Sequence, residues 1–255
     1  MDGAGVLVCE AGCCETEVCD KVERNPLFTD LSTVRTLFFD CDDTLYPRSS
    51  GVDVIVRNNI ALYMERELKI PKDEIPKLRQ DLYVQYGTTL RGLQEEHDVD
   101  PNHYWEFVHG TLDYRNLLQP NPGLAKILKS LPQKKWVFTN ANVEHAEACL
   151  KQLGLDNGIF EGIIDVRAMD FANKPSPASF ISAMRISGEA DASKILFFDD
   201  SSKNLEGARK HGIHTVRISD DKSRTILDVA QMQEIDEISH SLADLWKYNE
   251  GLPSV

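Results

Sequence analysis

Short apolar segments recur along this chain, and each of them ends in a cluster of polar residues. The segments with a strand-like composition are Thr36–Phe39, Trp136–Phe138, Gly162–Val166, Ile195–Phe198 and Thr215–Ile218. Helix-like segments separate the last four of them, at His145–Leu153, Ala178–Ile186 and Lys203–Lys210. Strands that alternate with helices form right-handed βαβ units, and continuously apolar strands are typical of sheets that are buried on both faces. The pattern therefore predicts an α/β fold with a parallel sheet and helices on both of its faces.

The interval between the first two strand segments breaks this alternation. Residues 52–118 contain helical patterns and little strand signal. One helical face in this interval is formed by Val56, Ile60, Tyr63 and Met64. The predicted division of the chain is a core domain of residues 34–51 and 119–255, an inserted all-helical domain of residues 52–118, and a flexible N-terminal segment of residues 1–33.

The chain is acidic, with a net charge of −13. Because an acidic surface repels the phosphates of nucleic acids, we expect no nucleic-acid partner. No segment approaches the roughly 20 apolar residues of a membrane span, so we expect no membrane anchor. The first residues lack the basic start of a secretory signal, and the acidic N-terminal segment is unlike a transit peptide. We therefore expect a cytoplasmic protein.

Acidic residues follow two of the predicted strands. Asp40, Asp42 and Asp43 follow the first, and Asp199 and Asp200 follow the fourth. Ligands of open α/β sheets bind at the carboxyl ends of the strands, and uncompensated carboxylates are costly to bury. Alternation along an extended chain would put Asp40 and Asp42 on the same side, and a divalent cation would relieve the repulsion between two acidic strand ends. The alternative for the first cluster is an acidic turn or a helix N-cap.

Two further polar positions follow predicted strands. Thr139 and Asn140 end the second strand segment, where a hydroxyl beside backbone N–H groups suits a phosphoryl oxygen. The alternative there is an ordinary N-cap for a helix that begins near Val143. Lys174 follows the third strand segment, where an ammonium group would neutralise a phosphate, although a single surface lysine is usually only solvated.

Taken in order, these motifs resemble those of the haloacid dehalogenase-like (HAD) phosphatase superfamily. The matching positions, over roughly residues 34–220, are Asp40-x-Asp42-x-Thr44, Thr139, Lys174 and Asp199-Asp200. The resemblance implies a Rossmann-like parallel sheet with helices on both faces, and it makes residues 52–118 similar to the family's type-one helical cap. The dehalogenase branch lacks the second catalytic acid, so Asp42 favours the phosphatase branch.

The resemblance also implies a role for each matching residue. Asp40 would attack phosphorus and form an aspartyl-phosphate, while Asp42 would protonate the leaving oxygen and later deprotonate water. Thr139 would hold a phosphoryl oxygen, and Lys174 would stabilise the charge on the phosphate. The implied cofactor is Mg²⁺, and the groups that would hold or support it are Asp40, the backbone carbonyl of Asp42, Asp200 and, behind them, Asp199.

The segment Gln85–Leu93 stands out within the predicted helical domain because it combines two glycines, two hydroxyls and one guanidinium group. It resembles the corresponding part of the yeast and plant pyrimidine 5′-nucleotidase-like group. That resemblance implies that Thr89 and Arg91 face the leaving group and that Tyr86 stacks on a base. The alternative is a turn between two helices with ordinary polar residues.

The leading hypothesis is thus a Mg²⁺-dependent phosphatase for a small phosphorylated metabolite, namely a nucleoside 5′-monophosphate with a pyrimidine base or a purine, as in XMP or IMP. One alternative is a phosphatase for another metabolite, such as pyridoxal phosphate or a sugar phosphate. A protein phosphatase is disfavoured because a cap would keep bulky phosphoproteins away from Asp40. A non-catalytic binding module is disfavoured by the complete set of motifs.

Overall fold

The computed structural model describes residues 33–156 and 158–218. The strands in this part of the chain are β1 (Thr36–Phe39), β2 (Lys134–Phe138), β3 (Gly162–Ile164), β4 (Ile195–Asp199) and β5 (His214–Arg217). They form one parallel sheet in the order β3-β2-β1-β4-β5. The α-helices are α1 (Val52–Arg66), α2 (Ile75–Tyr86), α3 (Thr89–His97), α4 (Pro101–His109), α5 (Tyr114–Leu117), α6 (Pro122–Ser130), α7 (Val143–Leu153), α8 (Pro177–Ser187) and α9 (Ser202–Lys210). The predicted α/β class with a parallel sheet is confirmed.

Helices cover both faces of the sheet, as the alternation of strands and helices predicts. Successive residues of a strand point to opposite faces, and in β1 all four residues are buried. Phe39 packs in one apolar cluster with Leu150 of α7. Its neighbour Phe38 packs in a second cluster with Phe180 of α8. Side chains on the two faces of β1 therefore pack into two different apolar clusters. The carboxyl end of β1 lies between these clusters.

The helices α1–α5 lie between β1 and β2 in the chain, where the sequence predicts helices. Tyr63 of α1 meets the rings of Tyr104 and Phe107 of α4 edge-on, with centroids 5.1 and 5.4 Å away. Tyr63 and Met64, which lie on the predicted apolar face of α1, are both buried. Buried residues of α1–α4 belong to the same apolar cluster as Phe38 of the sheet, and α5 packs against the cluster that contains Phe39. The insertion is therefore packed against the sheet domain.

The third strand is shorter than predicted, since it ends at Ile164 rather than Val166. The chain turns after Ile164, and the turn places Asp165 against the start of α7. The Oδ2 atom of Asp165 accepts a hydrogen bond from the backbone N–H of Val143 at 3.0 Å. A carboxylate at this position satisfies one of the free N–H groups of a helix start and interacts favourably with the helix dipole.

The segment Gln85–Leu93 contains the turn between α2 and α3, which agrees with the alternative of a turn between two helices. Helix α2 ends at Tyr86, and Gly87 takes the left-handed conformation with a φ of 83°, which favours glycine. Thr88 then begins α3, because its side chain accepts a hydrogen bond from the N–H of Arg91 at 3.1 Å. Thr89 and Arg91 consequently lie on the first turn of a helix.

None of the helices in residues 33–156 and 158–218 combines the length and the apolar composition needed to cross a membrane. The prediction of a flexible N-terminal segment concerns residues 1–33, nearly all of which lie outside the described residues.

Candidate active site

Two acidic strand ends meet at the centre of the sheet. Phe39 of β1 pairs with Phe198 of β4, so that Asp40 lies beside Asp199. The N–H of Asp40 donates to the carbonyl oxygen of Phe198 at 2.9 Å and prolongs the strand pairing by one residue. Carboxylate oxygens of Asp40, Asp199 and Asp200 all lie within 4.8 Å of one another. The structure thus brings together the two acidic clusters that the sequence placed in separate motifs.

Lys174 lies between these acids. Its ammonium group is 2.8 Å from Oδ1 of Asp40 and 2.9 Å from Oδ2 of Asp199, and it donates to the carbonyl oxygen of Phe138 at 2.6 Å. Its side chain is 1% exposed, so these partners replace the water that a lysine normally keeps. Burial alone would lower the pKa of Lys174, but the charges of Asp199 and Asp40 outweigh it and raise that pKa.

Asn140 positions the backbone of Lys174. The side-chain oxygen of Asn140 accepts from the N–H of Lys174 at 2.8 Å, and its amide nitrogen donates to the carbonyl oxygen of Lys174 at 3.0 Å. This pair of bonds joins the end of β2 to the segment that precedes α8. Asn140 also lines the cavity described below, so it contacts both the lysine and the space where a substrate would lie.

Asp199 and Asp200 differ in how their carboxylates are satisfied. Asp199 is fully buried and accepts hydrogen bonds from the N–H of Ser201 at 2.7 Å, from the side chain of Asn204 at 3.1 Å and from Lys174. The Asp200 side chain is 28% exposed, and Arg48 lies 3.6 Å from its Oδ2. Burial and the neighbouring charge of Asp199 raise the pKa of Asp200 to about 7.

The acidic cluster fits a hard divalent cation. Its donors are carboxylate oxygens, which Mg²⁺ prefers, and their number leaves room for water and a substrate phosphate. Burial, together with the charges of Asp199 and Asp200, raises the pKa of Asp40 against the opposing effect of Lys174. A bound cation would offset the repulsion among these carboxylates and favour the ionised form of Asp40. Asp40 and Asp200 are the side chains best able to hold it, since Asp199 is already engaged with other donors.

The side chain of Asp42 does not join this cluster, which corrects the expectation from strand alternation. The chain leaves the extended conformation directly after Asp40, and Asp43 has a φ of 58°. Oδ1 of Asp42 instead accepts from Nε2 of His145 at 2.6 Å and from the hydroxyl of Tyr46. Burial alone would raise the pKa of Asp42, but the charge of His145 and these hydrogen bonds hold it below its ordinary value.

Thr139 is buried beside the same site rather than at a helix start. Its N–H donates to the carbonyl oxygen of Ile164 at 3.0 Å, and its hydroxyl accepts from the N–H of Ala141 at 3.0 Å. The first N–H of α7 is bound by Asp165, so the N-cap alternative for Thr139 is wrong. The hydroxyl hydrogen of Thr139 is left to be donated elsewhere, and the residue lines the cavity.

A cavity of about 410 Å³ connects these groups with the inserted helices. On the side of the sheet it is lined by Asp40, Asp42, Thr139, Asn140, Lys174 and Asp200. On the side of the inserted helices it is lined by polar and basic residues, including Arg57, Arg79, Thr88, Thr89 and Arg91, and by the aromatic residues Tyr83, Tyr104 and Trp105. The acids and the arginines therefore face one another across the cavity.

Thr89 and Arg91 were expected to face the leaving group and Tyr86 to stack on a base, and two of these three residues lie at this cavity. Thr89 and Arg91 line it, and Arg91 also forms an ion pair with Glu95. Tyr86 lines a neighbouring cavity of about 500 Å³ instead. Its hydroxyl donates to Glu96 at 3.3 Å and its carbonyl oxygen accepts from Asn173 at 3.0 Å, so the residue is directed to the adjoining surface.

Several residues of the site were missed by reasoning from the sequence. Arg48 donates to Asp43 at 2.8 Å and lies close to Asp200. Arg79 lines the side of the cavity that the inserted helices form, which we call its roof. His145 is the partner of Asp42 although 103 residues separate the two. No short motif contains these residues, because each reaches the site only through the packing of its helix or loop.

Comparison with known proteins agrees with this architecture. A family model described as haloacid dehalogenase-like hydrolase matches residues 34–212. Among solved structures, the HAD-hydrolase YfnB of Bacillus subtilis, bound to magnesium, is similar with a TM-score of 0.53 and 19% identity over 81% of this chain and 99% of that one. At this identity the similarity concerns the fold alone.

Two curated relatives are similar in sequence. Phosphate metabolism protein 8 of Saccharomyces cerevisiae is 29% identical over 201 residues, or 73% of this chain and 62% of the yeast protein, so the match spans less than two thirds of that relative. Glyceraldehyde 3-phosphate phosphatase of Methanopyrus kandleri is 26% identical over 200 residues, or 72% of this chain and 84% of that protein. The match to the family model covers strands β1 to β4, the inserted helices and every motif of the site, and this chain therefore belongs to the haloacid dehalogenase-like hydrolases.

Proposed function

We propose that this protein is a Mg²⁺-dependent phosphatase that hydrolyses a nucleoside 5′-monophosphate through an aspartyl-phosphate intermediate. The observation that carries the proposal is the position of Asp40 at the floor of the cavity, bound through Oδ1 to Lys174 and close to Asp200. The similarity to a relative named glyceraldehyde 3-phosphate phosphatase supports hydrolysis of a phosphate ester as the type of reaction.

The first half of the proposed reaction transfers the phosphoryl group to Asp40. Oδ2 of Asp40, which accepts no hydrogen bond within the described residues, forms a bond to phosphorus as the bond to the leaving oxygen breaks. Asp42 gives its proton to the leaving oxygen. The negative charge of the bound phosphate favours protonation of Asp42, because a like charge disfavours the ionised form of a carboxylate.

The second half hydrolyses the aspartyl-phosphate. Asp42 takes a proton from water, the water oxygen bonds to phosphorus, and the carboxylate of Asp40 is released with inorganic phosphate. Throughout, the hydroxyl of Thr139 would hold a phosphoryl oxygen, and the positive charge of Lys174 would stabilise the negative charge that grows in the transition state. Bound Mg²⁺ would add positive charge beside the phosphate, held by Asp40, Asp200 and the backbone carbonyl of Asp42, with Asp199 keeping Lys174 in place.

The residues that would select the substrate lie on the inserted helices, which we propose act as a cap. Thr89 and Arg91 offer a hydroxyl and a guanidinium group for a sugar or base, and Tyr83, whose side chain is exposed, offers a flat apolar surface. The second candidate is a phosphatase for a smaller ester, which the names of the glyceraldehyde 3-phosphate phosphatases favour. The two candidates differ in whether the roof of the cavity contributes to binding.

A substrate panel separates these candidates. We expect kcat/KM for UMP, CMP, IMP or XMP to exceed that for pyridoxal phosphate and glyceraldehyde 3-phosphate by at least about tenfold, which corresponds to about 1.4 kcal/mol of additional binding in the transition state. The substitution Arg91→Gln should remove most of this difference and leave hydrolysis of p-nitrophenyl phosphate nearly unchanged. The measurement is release of inorganic phosphate under steady-state conditions.

The matched control for Arg91→Gln is Arg66→Gln, since Arg66 lies on the inserted helices at an exposed position outside the cavity lining. This variant should retain the substrate preference of the natural sequence. Equal kcat/KM for nucleotides and smaller esters would rule out the nucleotidase and favour the second candidate.

Removal of the metal should stop the reaction. We expect chelation with EDTA to reduce phosphate release by at least about 10³-fold, because several kcal/mol of charge stabilisation are lost, and added Mg²⁺ to restore it. Asp200→Asn should raise the dissociation constant for Mg²⁺, measured by calorimetry, by at least about tenfold. The control is Asp81→Asn at an exposed position of α2. Full activity in EDTA, or unchanged Mg²⁺ affinity in Asp200→Asn, would contradict the assignment.

A further inference from the structure

His145 is a buried histidine that none of the motifs explains. It lies in the first turn of α7, its side chain is 1% exposed, and its Nε2 is 2.6 Å from Oδ1 of Asp42. A polar ring is costly to bury unless both nitrogens have partners. The ring nitrogens of His145 have such partners, which makes the contact with Asp42 part of an ordered network.

Tyr114 is the partner of the second ring nitrogen of His145. Its hydroxyl is 2.8 Å from Nδ1 of His145. An ionised carboxylate can only accept hydrogen bonds, so the hydrogen in the contact with Asp42 belongs to Nε2 of His145. A phenol hydroxyl can accept as well as donate, so it satisfies Nδ1 of the charged ring and holds the ring in place. Tyr114 therefore holds Nδ1 while the N–H of Nε2 is directed at Asp42.

The ring is also held on its flat side. The imidazole of His109 stacks on it, with centroids 4.3 Å apart and an angle of 29° between the planes. Asn142 holds His109 in turn, through a contact of 2.7 Å between its side-chain oxygen and Nδ1. Sγ of Cys149 is 3.7 Å from Nε2 of His145. These contacts leave the imidazole little freedom to rotate away from Asp42.

The two donors to Asp42 converge on a single oxygen. Both Nε2 of His145 and the hydroxyl of Tyr46 bind Oδ1. Within residues 33–156 and 158–218, no hydrogen bond reaches Oδ2 of Asp42. The Asp42 side chain is 41% exposed and lines the cavity. One oxygen of the carboxylate is thus fixed to the protein, and the other remains available to a substrate.

We infer that His145 is a positioning residue, which together with Tyr46 fixes Oδ1 of Asp42 so that Oδ2 meets the leaving oxygen of the substrate. This inference rests on the proposed function, because it concerns the proton transfer assigned to Asp42. Proton transfer is efficient only when donor and acceptor atoms lie within hydrogen-bonding reach. An unsupported carboxylate in the turn that follows β1 would sample several side-chain rotamers, and only some of them would reach the substrate.

If His145 only stabilised the packing of α7, its substitution would have a different effect from that expected for a residue that positions Asp42. Loss of packing around α7 would slow every substrate to a similar extent. Loss of the alignment of Asp42 would slow leaving-group release only from esters whose leaving group must be protonated, and this step is reported by kcat/KM. Hydrolysis of the shared aspartyl-phosphate, which also uses Asp42, would slow equally for both esters and would appear in kcat. An alkoxide leaving group needs that proton, whereas p-nitrophenolate is stable enough to leave without it.

The experiment compares a nucleoside 5′-monophosphate with p-nitrophenyl phosphate in the Mg²⁺-loaded full-length protein. For His145→Phe we expect kcat/KM for the nucleotide to fall by about 10²-fold and kcat/KM for p-nitrophenyl phosphate to fall by less than about threefold, because kcat/KM excludes the shared hydrolysis of the aspartyl-phosphate. His145→Gln, which keeps an N–H donor, should recover part of the lost kcat/KM. Tyr46→Phe should show the same selective loss to a smaller extent.

Three comparisons make the outcome decisive. Asp42→Asn should reproduce the selective loss at full strength, and His103→Gln, which alters an inserted-helix histidine outside the cavity lining, should change neither activity. Thermal unfolding identifies any variant that fails to fold, in which case His145→Gln and Tyr46→Phe carry the test. Equal loss on both esters in the folded variants would overturn the role of His145. If the natural protein released no phosphate, or if Asp40→Asn released it as fast as the natural protein, the proposed function itself would fail instead.

Discussion

Replacing Asp40 with Asn should reduce phosphate release by about 10³-fold or more on every ester, including p-nitrophenyl phosphate. The amide is nearly the same size as the carboxylate, but it cannot form the acyl phosphate bond. The loss should therefore appear in kcat regardless of the leaving group. This uniform loss distinguishes the nucleophile from Asp42 and His145, whose substitution should lower kcat/KM only for esters with poor leaving groups.

Two measurements support the interpretation of the Asp40 variant. Mass spectrometry of the natural protein, quenched in acid during turnover, should detect one added phosphoryl group on the peptide that contains Asp40, and the variant should lack it. Thermal unfolding should show that the variant is folded. Asp81→Asn serves as a control for the substitution type, since Asp81 forms an exposed ion pair with Lys77. Retention of more than about a tenth of the activity would contradict covalent catalysis by Asp40.

The substitution Lys174→Met should abolish activity and also destabilise the protein in the absence of metal. Lys174 compensates Asp40 and Asp199, whose side chains are 11% and 0% exposed. Removing one partner of a buried ion pair leaves an uncompensated charge, which costs about 3–5 kcal/mol. We expect the free energy of unfolding, measured with urea in EDTA, to fall by about that amount. Added Mg²⁺ should restore part of it, because a cation bound at Asp40 opposes the same repulsion.

Lys77→Met is the matched control for Lys174→Met. Lys77 also pairs with an aspartate, but its side chain is 84% exposed and that of Asp81 is 54% exposed. Exposed pairs contribute about 0–1 kcal/mol, so this variant should unfold at nearly the urea concentration of the natural protein. A loss of less than about 1 kcal/mol for Lys174→Met would show that the acids are neutralised by protonation rather than by the lysine.

Local patterns in the chain were sufficient to place most elements of the sheet domain. β1 coincides with the predicted segment Thr36–Phe39, because a β-branched threonine and three successive apolar residues before an acidic cluster are typical of a buried strand. The later strands and helices were placed to within a few residues. The boundary errors occurred where a side chain from elsewhere takes part, as at β3, which ends early because Asp165 binds the start of α7.

The charged residues at the bottom of the cavity could also be predicted from the sequence, since the carboxyl ends of parallel strands share one edge of a sheet. Asp40, Asp199 and Lys174 are in contact as the order of the motifs suggested. The order of the strands was not readable in the same way. Only the pairing of β1 with both β2 and β4 makes β1 central and brings the acids of β4 to Asp40.

The surroundings of Asp42 and the roof of the cavity depend on contacts between distant parts of the chain. Strand periodicity placed Asp42 beside Asp40, but a turn directly after β1 directs its side chain to His145 of α7. In the same way, Arg79 reaches the cavity and Tyr86 misses it because of how α2 and α3 pack. Patterns along a chain report which residues follow a strand, since that is a local property. Which side chains meet across a site depends on helix packing and turn conformation, and these are properties of the folded molecule.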